Sequence, residues 1–456
     1  MKKFLFLFLI SHLAVAQTFT TVPVVQNGSN NNRINIAVLG DGFTAAQQSN
    51  FQTAATNAVN YILNKSPYAE YRNYFNAYAV QVISAESGAK HPGTATDVTE
   101  PQIPVANPNN YFGSSFDTSG VHRLLYSFNS NKINQVLAAN VPDYDIALIL
   151  VNSTEYGGAG GVHAFASLNT NSNEIVVHEL GHSFANLADE YWYAATGESP
   201  NKTQVSDPAT IKWKNWLNTG GTGIYPYSEA GVNNWYRPHQ SCNMRYLNQQ
   251  FCPVCKERII ERIHGLVSAI DSYSPANAAT VDGNVALNFN VTTILPIPNT
   301  LVNTWTLNST PQSATGNTFS LTPAQLNTGN NTLVFSVTDN TALVRTDNHA
   351  SLHISTVTWT IYKDALGVSD ISAEKREFAV FPNPATEILY IRGKQNFSEN
   401  VLVEMFDLSG KMIPLKAGKN SHRELVADVS GLLPGNYLLK VSDGGNTLFF
   451  EKIIIQ

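Results

Sequence analysis

The 456-residue sequence is poor in charge: Lys, Arg, Asp and Glu make up 14% of it, against roughly 25% in an average soluble domain. The formal net charge is −6, from 28 basic and 34 acidic residues, and the basic residues form no cluster. Nucleic acid is thereby excluded as the main partner, because a phosphate-binding face needs concentrated Lys and Arg. Three cysteines are too few for a disulfide-built scaffold. Beyond the N-terminus, no apolar run approaches the roughly 20 residues of a membrane-crossing helix, so no transmembrane segment is expected. Apolar and aromatic side chains, at 43% and 10%, are enough to build cores and exclude a disordered chain. The length corresponds to about three domains.

The N-terminus reads as a targeting segment. Lys2 and Lys3 precede the apolar run Phe4 to Ile10, and Ala14-Val15-Ala16 gives an A-x-A cleavage pattern before Gln17. Residues 1–16 are therefore expected to be a signal peptide, leaving a mature chain that begins at Gln17 outside the reducing cytosol. Within the expected first domain, 17–268, residues from about 31 onward alternate between strand and helix patterns. Ile34 to Leu39 is an apolar run closed by Gly40-Asp41-Gly42, which predicts a buried strand and its turn, with Asp41 a turn residue. Thr44 is placed to cap the following helix, where Phe51, Ala55, Ala58, Val59 and Ile62 recur at helical spacing. Tyr78 to Ile83 and Asp145 to Val151 predict further strands, giving an α/β layout.

The character changes at about residue 269. Lysine is absent from 257 through 362. Short runs such as Val285 to Val291 and Thr332 to Val337 sit between Gly, Asn and Pro clusters, which predicts an immunoglobulin-like β-sandwich over 269–365. Residues 366–456 follow a short linker around Gly367 to Glu374. They carry strand patterns at Ile388–Ile391, Val401–Phe406, Glu424–Val426, Asn436–Val441 and Leu448–Ile455, a second small β-sandwich.

The chemistry concentrates at His178-Glu179-Leu180-Gly181-His182, an HExxH motif. On a helix, positions four apart share a face, so both imidazoles can reach one ion, while Glu179 can hold a metal-bound water. Val177, Leu180, Phe184 and Leu187 give that helix an apolar stripe, and Asn171 with Glu174 resembles a capping box at its start. A catalytic zinc takes three protein ligands and leaves a position open for water. In an unbroken helix Asp189 would lie about 10 Å beyond His182 along the axis. Asp189 can be the third ligand only if the helix ends first, and Asn186 is the natural breaker because Asn tolerates the left-handed conformation. Glu190 is the competing ligand.

Further along, Cys242-Asn243-Met244-Arg245-Tyr246 resembles the methionine turn beneath the metal of metzincin peptidases. Tyr246 is a candidate either to donate to the oxyanion or to touch the zinc. Ala37 to Thr44, Tyr71 to Asn76, Val151-Asn152-Ser153, Tyr156-Gly157-Gly158, the HExxH helix running into Leu187 to Tyr191, Cys242 to Arg245 and Phe251 to Cys255 together resemble the secreted IgA-peptidase-type zinc metallopeptidases. That resemblance implies a metzincin-like catalytic domain and Zn2+-dependent endopeptidase chemistry on a protein or peptide substrate. It does not imply that immunoglobulin A is cleaved. Aspartate stands where the commonest metzincin pattern has a third histidine. At the C-terminus, Phe381 to Thr386, Phe406 to Lys411 and Leu432 to Tyr437 resemble the C-terminal sorting domain of type IX secretion, implying the secretion machinery as partner and a secreted or cell-surface location.

The expected molecule is thus multidomain: an α/β metzincin-like catalytic domain, an immunoglobulin-like β-sandwich and a small C-terminal β-sandwich. Its expected metal ligands are His178, His182 and Asp189, with Glu179 as general base and Tyr246 assisting. The rival reading is an exported binding or adhesive protein with an inactive metallopeptidase core. Cys242 is expected to form a disulfide with Cys252 or Cys255, since only three cysteines exist where a structural zinc usually takes four ligands. His163 and His239 flank the site in sequence and are candidates for substrate contact. A substrate strand is expected to add to an edge strand near Val162 to Leu168.

Overall fold

The computed structural model describes residues 17–191, 197–227, 234–364, 377–444 and 446–456. The proposed signal peptide and the 367–374 linker lie outside the described residues. The chain forms two compact units, Met1–Ala365 and Leu366–Gln456.

The first unit begins with strand β1 (Thr21–Val25), followed by β2 (Ile34–Asp41), helix α1 (Gln48–Leu63), β3 (Phe75–Val80), α2 (Ser130–Asn140), β4 (Ile146–Val151), β5 (Gly158–Ala159), β6 (Ala164–Ser167), α3 (Ser172–Ala185) and α4 (Pro253–Leu266). The strands form one sheet in the order β1-β3-β2-β4-β6-β5. Its four central strands run parallel, and β1 and β5 add antiparallel at the edges. All eight residues of β2 are buried. Ile34, Ile36 and Val38 pack toward α1, α3 and α4, while Ala37 and Leu39 pack toward Ile133, Val136 and Leu137 of α2. This two-sided burial explains why β2 reads as a continuous apolar run rather than an alternation.

Asp41 ends β2 as a structural acceptor. Its carboxylate takes the backbone N–H groups of Gly42, Phe112 and Ser114 at 3.1, 2.9 and 3.0 Å. Strand β3 starts three residues before the expected Tyr78. The expected capping box of α3 does not form: Asn171 makes no side-chain cap bond. Glu174 is drawn instead to Tyr61 and Lys65, and to Asn243 Nδ2 and the Asn248 N–H at 3.3 and 3.1 Å. Strand β6 is not an edge either. It pairs with β4 on one side and, at Phe165 and Ala166, with β5 on the other, so those positions are not free to take a substrate strand.

Residues 269–363 of the same unit form two facing sheets. One has five strands, with Gly329–Asp339 between Ser355–Lys363 and Leu301–Leu307; the other has three, centred on Leu287–Thr293. Trp305, Trp359, Phe289 and Phe335 fill the space between them. Asp339 ties this layer to the α/β part: it accepts bonds from Tyr71 and Thr300, and its Oδ2 lies 3.0 Å from Nε2 of His264 on α4. The second unit has two four-stranded sheets around Leu389, Ile391, Met405, Leu439, Val441 and Ile453.

Burial alone would raise the Asp339 carboxyl, but the bonds from His264, Thr300 and Tyr71 override it and hold the group below its ordinary 3.8. A depressed folded value stabilises the fold above the unfolded value, and this contribution disappears as the pH falls through the folded one. Asp339→Asn should lower the thermal midpoint by several degrees near neutral pH, and by progressively less below about pH 4. Unfolding scans of both proteins across that range test this; a gap independent of pH contradicts it.

Candidate metal centre

Helix α3 positions the two histidines and its C-terminal turn delivers the aspartate. The helix ends at Ala185, and Asn186 adopts the left-handed conformation with φ 55° and ψ 33°. The N–H of Asn186 donates to His182 O at 3.0 Å and that of Leu187 to Gly181 O at 2.9 Å, the paired bonds that close a helix through a left-handed residue. The chain then reverses. Asn201 clamps the return by accepting the Ala188 N–H and donating to the Ala188 carbonyl, both at 2.8 Å. Asp189 Oδ1 comes to rest 3.0 Å from His178 Nε2 and 3.1 Å from His182 Nε2, and the two nitrogens are 3.2 Å apart.

The other ring nitrogens determine what these three atoms can do. His178 Nδ1 lies 2.9 Å from Asn243 O, and His182 Nδ1 lies 2.7 Å from Leu187 O. A carbonyl oxygen only accepts, so each Nδ1 carries a hydrogen and each neutral ring presents a bare Nε2 lone pair. Two lone pairs and a carboxylate oxygen therefore face one another. Only a proton or a cation relieves that arrangement. Without a cation, burial pushes the His182 imidazole down, but Asp189 overrides it and raises the group; the reciprocal bonds hold Asp189 well below the usual carboxylate range despite its burial. A tetrahedral zinc with N and O ligands at about 2.0–2.1 Å sets its ligand atoms about 3.3 Å apart, close to the spacings observed.

Glu179 follows His178 on the helix. Burial raises its carboxyl above the ordinary range, partly offset by His178 and His182. Gly160, just after β5, admits this carboxylate: a Cβ there would collide with Glu179 Oε2. Below the helix, a Cβ on Gly181 would collide with Met244 Sδ, so the methionine packs directly under the turn that joins the two histidines. Met244 is fully buried.

Glu190, the competing ligand, points away from the histidines. It is fully buried, and its Oε1 accepts from Asn201 Nδ2 at 3.0 Å and from Cys255 Sγ at 3.4 Å. No disulfide forms among Cys242, Cys252 and Cys255; the Sγ atoms of Cys242 and Cys255 stand 3.7 Å apart. Tyr246 is exposed, its ring carrying the Arg245 guanidinium 4.7 Å from the centroid. Among the described residues its hydroxyl makes no hydrogen bond to His178, Glu179, His182 or Asp189. His163 is buried rather than presented to substrate, with Nε2 2.9 Å from Asn134 Oδ1. His239 lines a different cavity, with Trp216, Phe251 and Leu343. The sequence placed Glu174 in a capping box and Asn243 in the methionine segment, but not their joint role: Asn243 Nδ2 donates to Glu174, tying that segment to α3, and Asn243 O holds His178.

Residues 22–234 match the family described as IgA Peptidase M64, and residues 379–456 match the secretion system C-terminal sorting domain. No curated protein matches the chain. Similar solved structures include a Bacteroides ovatus mixed-linkage glucan utilisation protein, SGBP-B, in complex with a mixed-linkage heptasaccharide, at 13% identity over 40% of this chain and 43% of that one, TM-score 0.16. The Lin-41 filamin domain aligns at 8% identity over 18% and 92% of the two chains, TM-score 0.15, and a chimeric titin Z1Z2 at 12% over 42% and 98%, TM-score 0.16. Likenesses this weak carry no argument about fold or function. The family matches do: the chain carries an IgA Peptidase M64 domain followed, at its C-terminus, by a secretion system sorting domain.

Proposed function

We propose that the chain is an exported zinc-dependent endopeptidase with a metzincin-like catalytic domain, in which His178, His182 and Asp189 hold the ion and Glu179 moves the proton. The observation that carries this reading is the inward-facing trio of Nε2, Nε2 and Oδ1, with both tautomers set by backbone carbonyls. The peptidase family match and the sorting domain support the reaction class and the export. Zinc bound there would polarise the scissile carbonyl and lower the pKa of a bound water to about 7.

The protein's own groups do the rest. Glu179 accepts a proton from the attacking water and delivers it to the leaving amine nitrogen. Its upward shift by burial brings its basicity closer to the operating pH, where a proton shuttle works best. Met244 and Gly181 fix the height of the helix over the floor. The carbonyls of Asn243 and Leu187 fix the two rings so that each turns its Nε2 inward. Tyr246 is assigned to donate to the developing oxyanion, the charge that most needs stabilising in acyl transfer. The substrate is a polypeptide, and export places it outside the cell.

Glu179→Gln preserves the shape of the side chain but cannot take a proton. It should retain the parent's zinc content while casein hydrolysis falls about 1,000-fold. Equal turnover, or a zinc-free parent, would favour an exported binding protein with an inactive core. Gly160→Ala should displace the Glu179 carboxylate and lower kcat/KM about 100-fold with the zinc content unchanged. Unaltered kinetics in that variant would remove Glu179 from the proton path.

A further inference from the structure

Behind the floor of the histidine site lies a second convergence. Cys242, Cys252, Cys255 and Glu190 each direct one ligand-type atom to a common point, all within 4.8 Å of one another, and all four residues are buried. The sequence supplies them from three places. Cys242 precedes the Met244 segment, Cys252 is the N-cap of α4 with Pro253 after it, Cys255 lies in the first turn, and Glu190 follows Asp189. Only three of the four were recognisable in sequence as a set, because the fourth is a carboxylate some fifty residues away.

We propose that these residues form a structural Zn2+ site, distinct from the one at His178 and His182. Three observations carry it. The spacing fits: zinc–sulfur bonds of about 2.3 Å in a tetrahedron set sulfurs about 3.8 Å apart, and sulfur and carboxylate oxygen about 3.6 Å apart. The separations in the structure are 3.7 Å for Cys242 to Cys255 and 3.4 Å for Cys255 to Glu190 Oε1. The donor set fits as well, since thiolates select zinc over harder ions and a carboxylate completes a closed four-ligand site. Finally, Glu190 is 0% exposed and its Oε2 has no hydrogen-bond partner. A buried carboxylate oxygen left so is costly in a folded protein unless something else occupies it.

Binding releases the three thiol protons to solvent, so the filled site would carry a net negative charge. The N-terminal end of α4, where the Lys256 N–H bonds to Cys252 O at 2.9 Å, offsets part of it. Arg237, whose Nη1 donates to Glu190 O at 2.9 Å, offsets more. The site would brace the catalytic floor directly: the Glu190 N–H donates to Met244 O at 2.7 Å, and Cys242 accepts the N–H groups of Arg245 and Tyr246 at its carbonyl.

X-ray absorption at the zinc edge of the purified full chain tests this without any variant. A zinc–sulfur shell at about 2.3 Å is expected beside a nitrogen and oxygen shell. In His178→Ala/His182→Ala the sulfur shell should persist, with about one equivalent of zinc tied to sulfur, and adding Cys252→Ser should abolish that shell. Failure of the histidine site alone would remove nitrogen scattering and leave sulfur. Zinc without sulfur ligands, or a disulfide joining any two of the three cysteines by mass spectrometry, overturns the proposal.

Discussion

The inward-facing histidine pair depends on two hydrogen bonds made on the far side of the rings. His178 and His182 each give their Nδ1 hydrogen to a main-chain carbonyl, one from the methionine segment and one from the turn after the helix. An imidazole free to rotate or to exchange tautomers would present a lone pair to the site only part of the time. Fixed in this way, both rings turn the same nitrogen inward, and the helix contributes only the spacing. The sheet, helix and loops can be regarded as the means of placing two carbonyl oxygens where the rings need them.

A buried carboxylate and a buried amide place those oxygens. Glu174 joins α3 to Asn243 and Asn248, so the chain that carries the first carbonyl is fastened to the helix that carries the histidines. Asn201 fastens the turn that carries the second. Asp41 and Asp339 act at longer range, one binding the loop after β2 to residues 112–114 and the other holding the sandwich layer against α4. In a sequence with so little charge, these few carboxylates are held inside the fold by backbone amides, hydroxyls and the side chains of Lys65 and His264.

What could be read from the sequence was what is local. The four-residue spacing of HExxH is a property of one helix. Asn186 is a property of one residue's tolerance for positive φ, and together they bring the segment holding Asp189 and Glu190 back toward the histidines. Where the structure departs from the local pattern, distant partners intervene. Glu174 sits where a capping box predicts a carboxylate, yet Lys65 and Tyr61 claim it from α1 and the residues just beyond. The stretch near Val162 to Leu168 reads as an available edge strand because its neighbour β5 is only two residues long and carries no pattern. Asp189 and Glu190 are chemically near-equivalent neighbours; only the positions of Asn201 and the cysteines decide which faces the histidines. His163 is adjacent to the site in sequence and packed against α2 in space.

Asp189 and Glu190 diverge from a single peptide bond, one side chain toward the imidazoles and the other into the sulfur cluster. Ordering the segment from Leu187 to Glu190 for either cluster orders it for both, so its conformational entropy is lost once rather than twice. The two clusters are therefore thermodynamic partners, and by reciprocity whatever firms one lends the same free energy to the other.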